Sequence, residues 1–436
     1  MSYRLIKYYD SADPQPVVLP LSKSVAARVM TVNFLSESPA VIEELPDCDD
    51  CRNLEAALGA LRESLEKCGD SSADKPVRIN IGSGAAPFRF FLAMTAAIPG
   101  TVVEIETTDQ LRWRPVAPLV AALRSIGADI EYRDEEGYPP LVVKGRRLEG
   151  GSVEVDGSVS SQFVSALMMI APVCTRGLII NLAGGVAVSL PYIEMTAQIM
   201  RRFGVNPVLT SHSVTVEAGE YKAPAVFAVE PDWSAASYFY ERALLGAPSP
   251  VYLKALAQPL HSMQGDSMCC ALYRYLGVET EWKPDGTVVL TGDPVKTKAL
   301  RDSGVTVELD FGNVPDLVPS LAVTLCGIRL PFRFTGISHL RHKECDRLFA
   351  LSEELGKMGY MVETDADTLS WNGRLCPAAD NEPVEVYGDH RMAMAFAPLA
   401  CVIPWVNISS PEVVGKSFAD FWQQIESVGL KTEVCS

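Results

Sequence analysis

The spacing of apolar and polar positions repeats one local pattern six times along the chain. A short apolar strand runs into a turn of small or polar residues, and an amphipathic helix follows. The strands end at Leu19, Ile81, Val155, Val229, Leu309 and Val386. Intervals of roughly 60 to 80 residues suit a six-element subdomain and are too long for a solenoid. The copies read VVLPLSKSVAARVM, RINIGSGAAPFRFFLAM, VEVDGSVSSQFVSALMM, FAVEPDWSAASYFYERA, VELDFGNVPDLVPSLAV and VEVYGDHRMAMAFAPLA. The pattern predicts two α/β halves of three units each, joined near residues 230–232 without a low-complexity linker. Residues 35–77 depart from it and read as an elaborated helix plus a surface loop.

The first turn of a helix leaves N–H groups unpaired and carries about half a positive charge. Ser, Asp and Gly at the six turns therefore serve as caps or as anion sites. Self-capping accounts for Ser234 and its neighbours, but not for the cations set in other turns: Lys23 and Arg28, Arg89, and His390 with Arg391. Two further motifs are dense in cations, Leu111-Arg-Trp-Arg-Pro115 and the run from Leu340 to Ala350. In the second, the spacing predicts a helix with Lys343 and Arg347 at i, i+4 on one face, and Glu344 beside Lys343. Cations at a helix start oppose the macrodipole, and a bound anion offsets that penalty. A charge-assisted hydrogen bond is worth about 1.5–3 kcal/mol, against about 0.3–1 for an exposed helix terminus. Cations should dominate affinity, while helix termini and Ser hydroxyls set orientation.

Composition narrows the class. At 436 residues, 48% apolar and 21% charged, the chain is a globular protein of two or more domains. A net charge of −16 argues against nucleic acid as a partner. It leaves small anions open, because exposed charges act over only about 8 Å at physiological salt. The longest apolar stretch, Val164 to Val188, is broken by Thr175 and Arg176 and does not read as a membrane span. The first ten residues have no apolar signal core, so a cytoplasmic location is expected. Eleven cysteines in such a chain read as free thiols. Cys48-Asp-Asp-Cys51 has the spacing of half a zinc site, yet no second Cys or His pair stands at a matching interval. Neither a metal nor a cofactor is expected. Cys269-Cys270 reads as helix packing.

Nine motifs then occur in one order. They are Ser22-Lys-Ser24 with Arg28, Leu111 to Pro115, Asp156 to Phe163, Val188 to Ile193 and Ser262 to Asp266. Pro315-Asp316, Lys343 to Arg347, Asp389 to Met394 and Lys416 to Phe418 complete them. Together they resemble the 5-enolpyruvylshikimate-3-phosphate synthase family from end to end. The resemblance implies a two-domain inside-out α/β barrel, each domain three βαβαββ units, with helix N-termini facing the interdomain cleft. Residues 1–21 plus 232–436 would form the first domain, and 22–231 the second, on the shikimate 3-phosphate side. It implies transfer of the enolpyruvyl group of phosphoenolpyruvate to the 5-hydroxyl of shikimate 3-phosphate, releasing phosphate, in aromatic amino acid biosynthesis. The family expectation is a metal-free monomer whose partners are those two small molecules, with no nucleic acid and no membrane.

By the same resemblance, shikimate 3-phosphate is held by Lys23, Ser24, Arg28, Ser160, Ser161, Gln162, Ser189, Tyr192, Asp316, His339 and Lys343. Phosphoenolpyruvate is held by Lys23, Arg114, Arg347, Arg391 and Lys416, with Gln162 between the ligands. Asp316 is the expected base; Glu344 and Lys23 are the candidate proton donors, although Lys343 and Arg347 oppose the protonated form of Glu344. His390 either contacts phosphoenolpyruvate or caps its own turn, and Arg89 either touches ligand or braces its loop. The chain departs from the family pattern at Leu21 and at Ser83-Gly-Ala-Ala86, where the family usually shows Gly and Asn-Ala-Gly-Thr. The extra methyl of Ala85 implies reduced sensitivity to glyphosate. Two rival readings are a UDP-N-acetylglucosamine enolpyruvyl transferase and a non-catalytic anion-binding homologue. The first would need a mobile-loop Cys where this chain has Trp113.

Overall fold

Helices that are apolar on every face must be buried on every face, and the helices following the six turns follow that rule closely. In Ala85–Ala97 all residues but Ala86 are buried, and in Trp233–Leu245 every residue is. Ser161–Ile170, Val318–Gly327 and His390–Phe396 are nearly or wholly buried too. Each large apolar side chain enclosed this way contributes about 1.5–3 kcal/mol. The structure, a computed structural model, describes residues 2–9, 15–66, 76–156, 160–183, 189–379 and 382–435. Motif residues 157–159 and Val188, and the end of the acidic segment beyond residue 66, lie outside the described residues.

The chain divides into two compact units, residues 1–20 with 230–436, and residues 21–229. In the second unit, Ala85–Ala97 packs against Lys23–Phe34 and Ser161–Ile170. In the first, Val318–Gly327 packs against Trp233–Leu245 and His390–Phe396. Each unit is thus helix-cored.

The sheets repeat one topology. Val77–Asn80 runs parallel to Val102–Glu106, which pairs antiparallel with Leu141–Lys144, and that strand with Asp129–Tyr132. In chain order this is a βαβαββ unit with strands arranged 1-2-4-3. The sheets beginning at Gly151–Asp156 and at Val307–Asp310 have the same order. In another, Tyr3–Tyr8 lies between Val406–Ser409 and Leu430–Cys435 as the fourth strand of the last unit.

The local pattern attaches the strands ending near Leu19 and Val229 to the helices that follow them, whereas the domain bounds implied by the resemblance place each strand in the other unit from its helix. The structure agrees with those bounds: Val17–Val18 pairs with Val251–Lys254 in the first unit, and Val226–Phe227 pairs with Val41–Ile42 in the second. The two copies exchange strands at the two points where the chain passes from unit to unit. The Asp232 N–H donates to the Pro20 carbonyl at 2.9 Å, tying the two strand ends in the first unit. Among the described residues no helix is long and apolar enough to cross a membrane.

Candidate active site

Four of the six turns are capped by their own side chains. Ser22 accepts from Val25 N, Ser160 from Gln162 N, Asp232 from Ser234 N and Asp389 from Arg391 N. Capping therefore leaves the charged groups of these turns free to be arranged by tertiary contacts.

In the first unit those contacts converge on Arg347, which is 1% exposed. Its Nε donates to Asp389 Oδ2 at 2.7 Å, Nη1 to Asp316 Oδ1 at 2.9 Å and Nη2 to Glu344 Oε2 at 2.8 Å. Arg391 Nη2 donates to the other Asp316 oxygen at 2.9 Å, so two guanidinium groups clamp one carboxylate. Burial alone would lower the Arg347 pKa, but Asp389, Glu344 and Asp316 outweigh it and hold the group far above its ordinary value. Lys416 reaches the same turn, donating to the Gly388 carbonyl at 3.2 Å.

Asp266 lies behind the clamp, 4% exposed, and accepts from the Ser234 hydroxyl. Burial first, then the Asp316 charge, pushes its carboxyl up to about 7 despite Arg391 and Ser234. His339 is half-buried, with neither ring nitrogen hydrogen-bonded. Burial and then Lys343 pull its imidazole down to about 4, so it is neutral at pH 7. His390 is 2% exposed, with Nδ1 at 3.8 Å from Asp389.

Lys343 and Arg347 do not share a helix face as expected. Ser338–His342 is a separate 3-10 turn, and the helix Arg347–Lys357 opens only after Asp346. Asp346 accepts from Leu348 N and Phe349 N, and it also pairs with Arg341 at 2.7 Å. Local capping thus moves the helix start beyond Lys343, and Arg341 is spent on bracing.

In the second unit Lys23 pairs with Asp50 at 3.0 Å, with both side chains partly shielded. Arg28 is 1% exposed. It donates to Thr196 Oγ1 at 2.7 Å, the Ser24 carbonyl at 2.9 Å and Ser165 Oγ at 3.3 Å. It also lies over the rings of Phe90 and Tyr192. Burial brings its pKa down to about 10, leaving it cationic at neutral pH. Arg89 donates to Gln162 Oε1 at 2.5 Å and Ser160 Oγ at 3.3 Å, so it braces the neighbouring turn. Ser161 is buried beside that turn. Ser189 adopts a left-handed backbone, φ 58°, which is strained for a non-glycine residue. Arg114 is half-buried just after the exposed Trp113.

The structure thus gathers Asp316, Glu344, Arg347, Arg391 and Lys416 around one turn system of the first unit, with His339, Lys343 and His390 nearby in sequence or contact. It gathers Arg89, Ser160 and Gln162 in the second unit, and Ser24, Arg28 and Tyr192 around Thr196. Three acids were not assigned a role from sequence: Asp50, Asp266 and Asp389. Asp389 could have been found as the cap residue preceding His390. Asp266 closes the motif from Ser262 to Asp266, and Asp50 lies in the segment that read as an elaborated helix plus a surface loop, in its helical part.

Comparison with known proteins gives one consistent answer. The sequence profile of EPSP synthase (3-phosphoshikimate 1-carboxyvinyltransferase) matches residues 15–425. The 3-phosphoshikimate 1-carboxyvinyltransferase of Bacteroides fragilis (strain YCH46) is 38% identical over 437 residues, covering 98% of this chain and 99% of the relative. That of Vibrio atlanticus (strain LGP32) is 32% identical, covering 95% and 96%. Among solved structures, EPSP synthase from Acinetobacter baumannii aligns with a TM-score of 0.73 at 18% identity, over 100% of both chains. The enolpyruvyl transferase NikO from Streptomyces tendae aligns with a TM-score of 0.70 at 15% identity, over 100% of this chain and 99% of the other. These two likenesses establish the two-domain α/β fold.

Proposed function

This chain belongs to the EPSP synthase (3-phosphoshikimate 1-carboxyvinyltransferase) family, and on that premise we propose how its residues carry the reaction. The enolpyruvyl group of phosphoenolpyruvate passes to the 5-hydroxyl of shikimate 3-phosphate, with release of phosphate. The observation that carries the assignment of roles is the Asp316 carboxylate, held from two sides by Arg347 and Arg391 with Glu344 alongside.

Asp316 takes the proton of the attacking 5-hydroxyl. The clamp fixes its orientation, which is what a base aimed at one hydroxyl requires. The hydroxyl oxygen bonds to the central carbon of phosphoenolpyruvate while the vinyl methylene gains a proton. The tetrahedral intermediate then expels phosphate. Of the two candidate donors Lys23 is favoured, because Glu344 accepts a hydrogen bond from buried Arg347 and such a contact stabilises the ionised carboxylate. Arg347 and Arg391 suit the planar phosphoenolpyruvate carboxylate, while Lys23, Arg114 and Lys416 suit its phosphate. Shikimate 3-phosphate falls to Lys23, Ser24, Arg28, Ser160, Ser161, Gln162, Ser189, Tyr192, Asp316, His339 and Lys343. Arg28 would act largely by holding the Ser24 and Tyr192 segments, given its three contacts within the unit. Asp389, not His390, caps the turn, and His390 is taken as a contact for phosphoenolpyruvate. The family reading also implies a cytoplasmic monomer; sedimentation tests the second part.

Phosphate release with both substrates is the direct test, and Asp316→Asn should lower kcat by about 10²–10⁴-fold. Release with a UDP-sugar acceptor and none with shikimate 3-phosphate would overturn the reading.

A further inference from the structure

The segment that leads into His390 and Arg391 bends in a way its sequence disfavours. The Asp389 N–H donates to the Val386 carbonyl at 2.8 Å, so residues 386–389 form a β-turn. Its two central residues both have positive φ, 52° at Tyr387 and 67° at Gly388. Turns of that kind favour Asn, Asp or Gly at both places, because a bulky side chain clashes there with its own backbone. Gly388 meets the demand and Tyr387 does not. Strain of this sort persists only where surrounding contacts over-determine it, and it concentrates at functional sites.

Such contacts surround Tyr387. Its hydroxyl donates to Glu354 Oε1 at 2.7 Å. Glu354 is fully buried on the helix Arg347–Lys357, and its other oxygen accepts from Glu385 N at 3.0 Å and from Lys357 at 2.9 Å. The Tyr387 ring stands edge-on to Phe349 of the same helix, with centroids 6.2 Å apart. Partial burial, then the Glu354 bond, raises the pKa of the hydroxyl, which therefore stays a donor at neutral pH. Arg347, at the start of that helix, holds Asp389 at 2.7 Å. The turn is thus fastened to one helix on both sides of Gly388. On its far side Glu385 accepts from Ser409 Oγ at 2.9 Å, and Ser409 ends the strand that leads to the 3-10 turn Pro411–Lys416.

What the bend aims is the Gly388 carbonyl, which accepts from Lys416 Nζ at 3.2 Å. Relaxing Tyr387 to an ordinary negative φ would reorient that carbonyl and release Lys416 from it. Arg391 follows three residues later, so the same bend sets its approach to Asp316. We propose that Tyr387 is a positioning residue for phosphoenolpyruvate: its bond to Glu354 holds the left-handed bend that sets Lys416 and Arg391 for that substrate. The effect on substrate rests on the roles given above to those two cations. Shikimate 3-phosphate, assigned to neither of them, should be bound as before when the anchor is cut.

Two variants of the full chain test this. Tyr387→Phe keeps the ring and the strain but loses the bond to Glu354. Tyr387→Asn also loses that bond, yet asparagine adopts the left-handed turn without it. In steady-state phosphate release, Tyr387→Phe should raise KM for phosphoenolpyruvate roughly tenfold, with kcat and KM for shikimate 3-phosphate within about twofold of the parent. Tyr387→Asn should return KM for phosphoenolpyruvate to within about threefold of the parent. Hydrogen exchange without substrates is the separate readout: residues 385–389 should exchange faster in Tyr387→Phe and at the parent rate in Tyr387→Asn. An unchanged KM for phosphoenolpyruvate in Tyr387→Phe would overturn the proposal. So would an equal rise in KM for both substrates, or a Tyr387→Asn variant as impaired as Tyr387→Phe. If exchange follows the expected pattern but the parent chain releases no phosphate, the anchor stands and the substrate reading falls.

Discussion

At the scale of the residue, the carboxylates near the clamp differ in what surrounds them. Asp266 has a raised group, about 7 against an ordinary 3.8. Between those values the folded chain keeps a proton that the unfolded chain has lost. Its contribution therefore favours folding below about pH 4 and is lost as pH rises towards 7, on the order of 4 kcal/mol in all. Asp266→Asn keeps an acceptor for Ser234 and removes the titration. Relative to the parent chain, the variant should gain stability in urea at pH 8 and gain far less at pH 4.5; equal changes at both would refute the assignment. Asp316, Glu344 and Asp389 instead share the buried Arg347. Arg347→Met strands three carboxylates and should cost about 3–5 kcal/mol in the same titration. Adding Asp389→Leu should recover part of that loss, since the penalty is an unpaired buried charge; no recovery would show that packing dominates.

At the scale of the element, the six strand–turn–helix copies were legible because a change of period from strand to helix survives in any single sequence. The exchange of Val17–Val18 and Val226–Phe227 was not legible in the local pattern, because both strands carry the same signal and only long-range pairing distinguishes them; it entered only through the domain bounds that the resemblance implied. The start of the helix at Arg347 was legible in principle, from Asp346 as its cap, but the charge spacing of Lys343 and Arg347 outweighed it in the reading. Asp50 was hidden for another reason: an acidic run reads as surface, and its burial depends on the turn at 82–84 packing against it. That turn yields a test. Gly84 has φ −76°, which alanine tolerates, but an added Cβ would meet Asp50 at 2.7 Å. Gly84→Ala should reduce kcat/KM about tenfold, by misplacing the Lys23–Asp50 pair. Gly59→Ala is the comparison, since nothing lies within 4 Å of its added Cβ. It should stabilise its helix by about 0.5–1 kcal/mol and leave turnover unchanged. In the same turn, Ala85→Gly should increase inhibition by glyphosate in steady-state assays, if the methyl is what departs from the family's glycine.

At the scale of the whole molecule, the two compact units each hold part of the proposed machinery, and the chain passes between them twice. The proposed shikimate 3-phosphate residues are weighted to residues 21–229, where Lys23, Ser24, Arg28, Ser160, Ser161, Gln162, Ser189 and Tyr192 all lie. The tryptophans are weighted the other way: Trp233, Trp282, Trp371, Trp405 and Trp422 lie in the first unit, and Trp113 alone in the second. Fluorescence therefore follows chiefly one unit during unfolding, while far-UV circular dichroism follows both. Each unit has its own buried helical core, so each can form a separate cooperative block. A ligand present at 100 times its Kd stabilises the block that binds it by about 2.7 kcal/mol. Shikimate 3-phosphate should then move the urea midpoint seen by circular dichroism more than the midpoint seen by tryptophan fluorescence. Equal shifts by the two probes would mean that the units unfold as one block, or that the acceptor draws as much binding energy from Asp316, His339 and Lys343 as from the second unit. Repeating the titration with Arg347→Met separates these outcomes. A single block loses stability in both probes, whereas independent units lose it almost entirely in fluorescence, because Arg347 and its three carboxylates all lie in the tryptophan-rich unit.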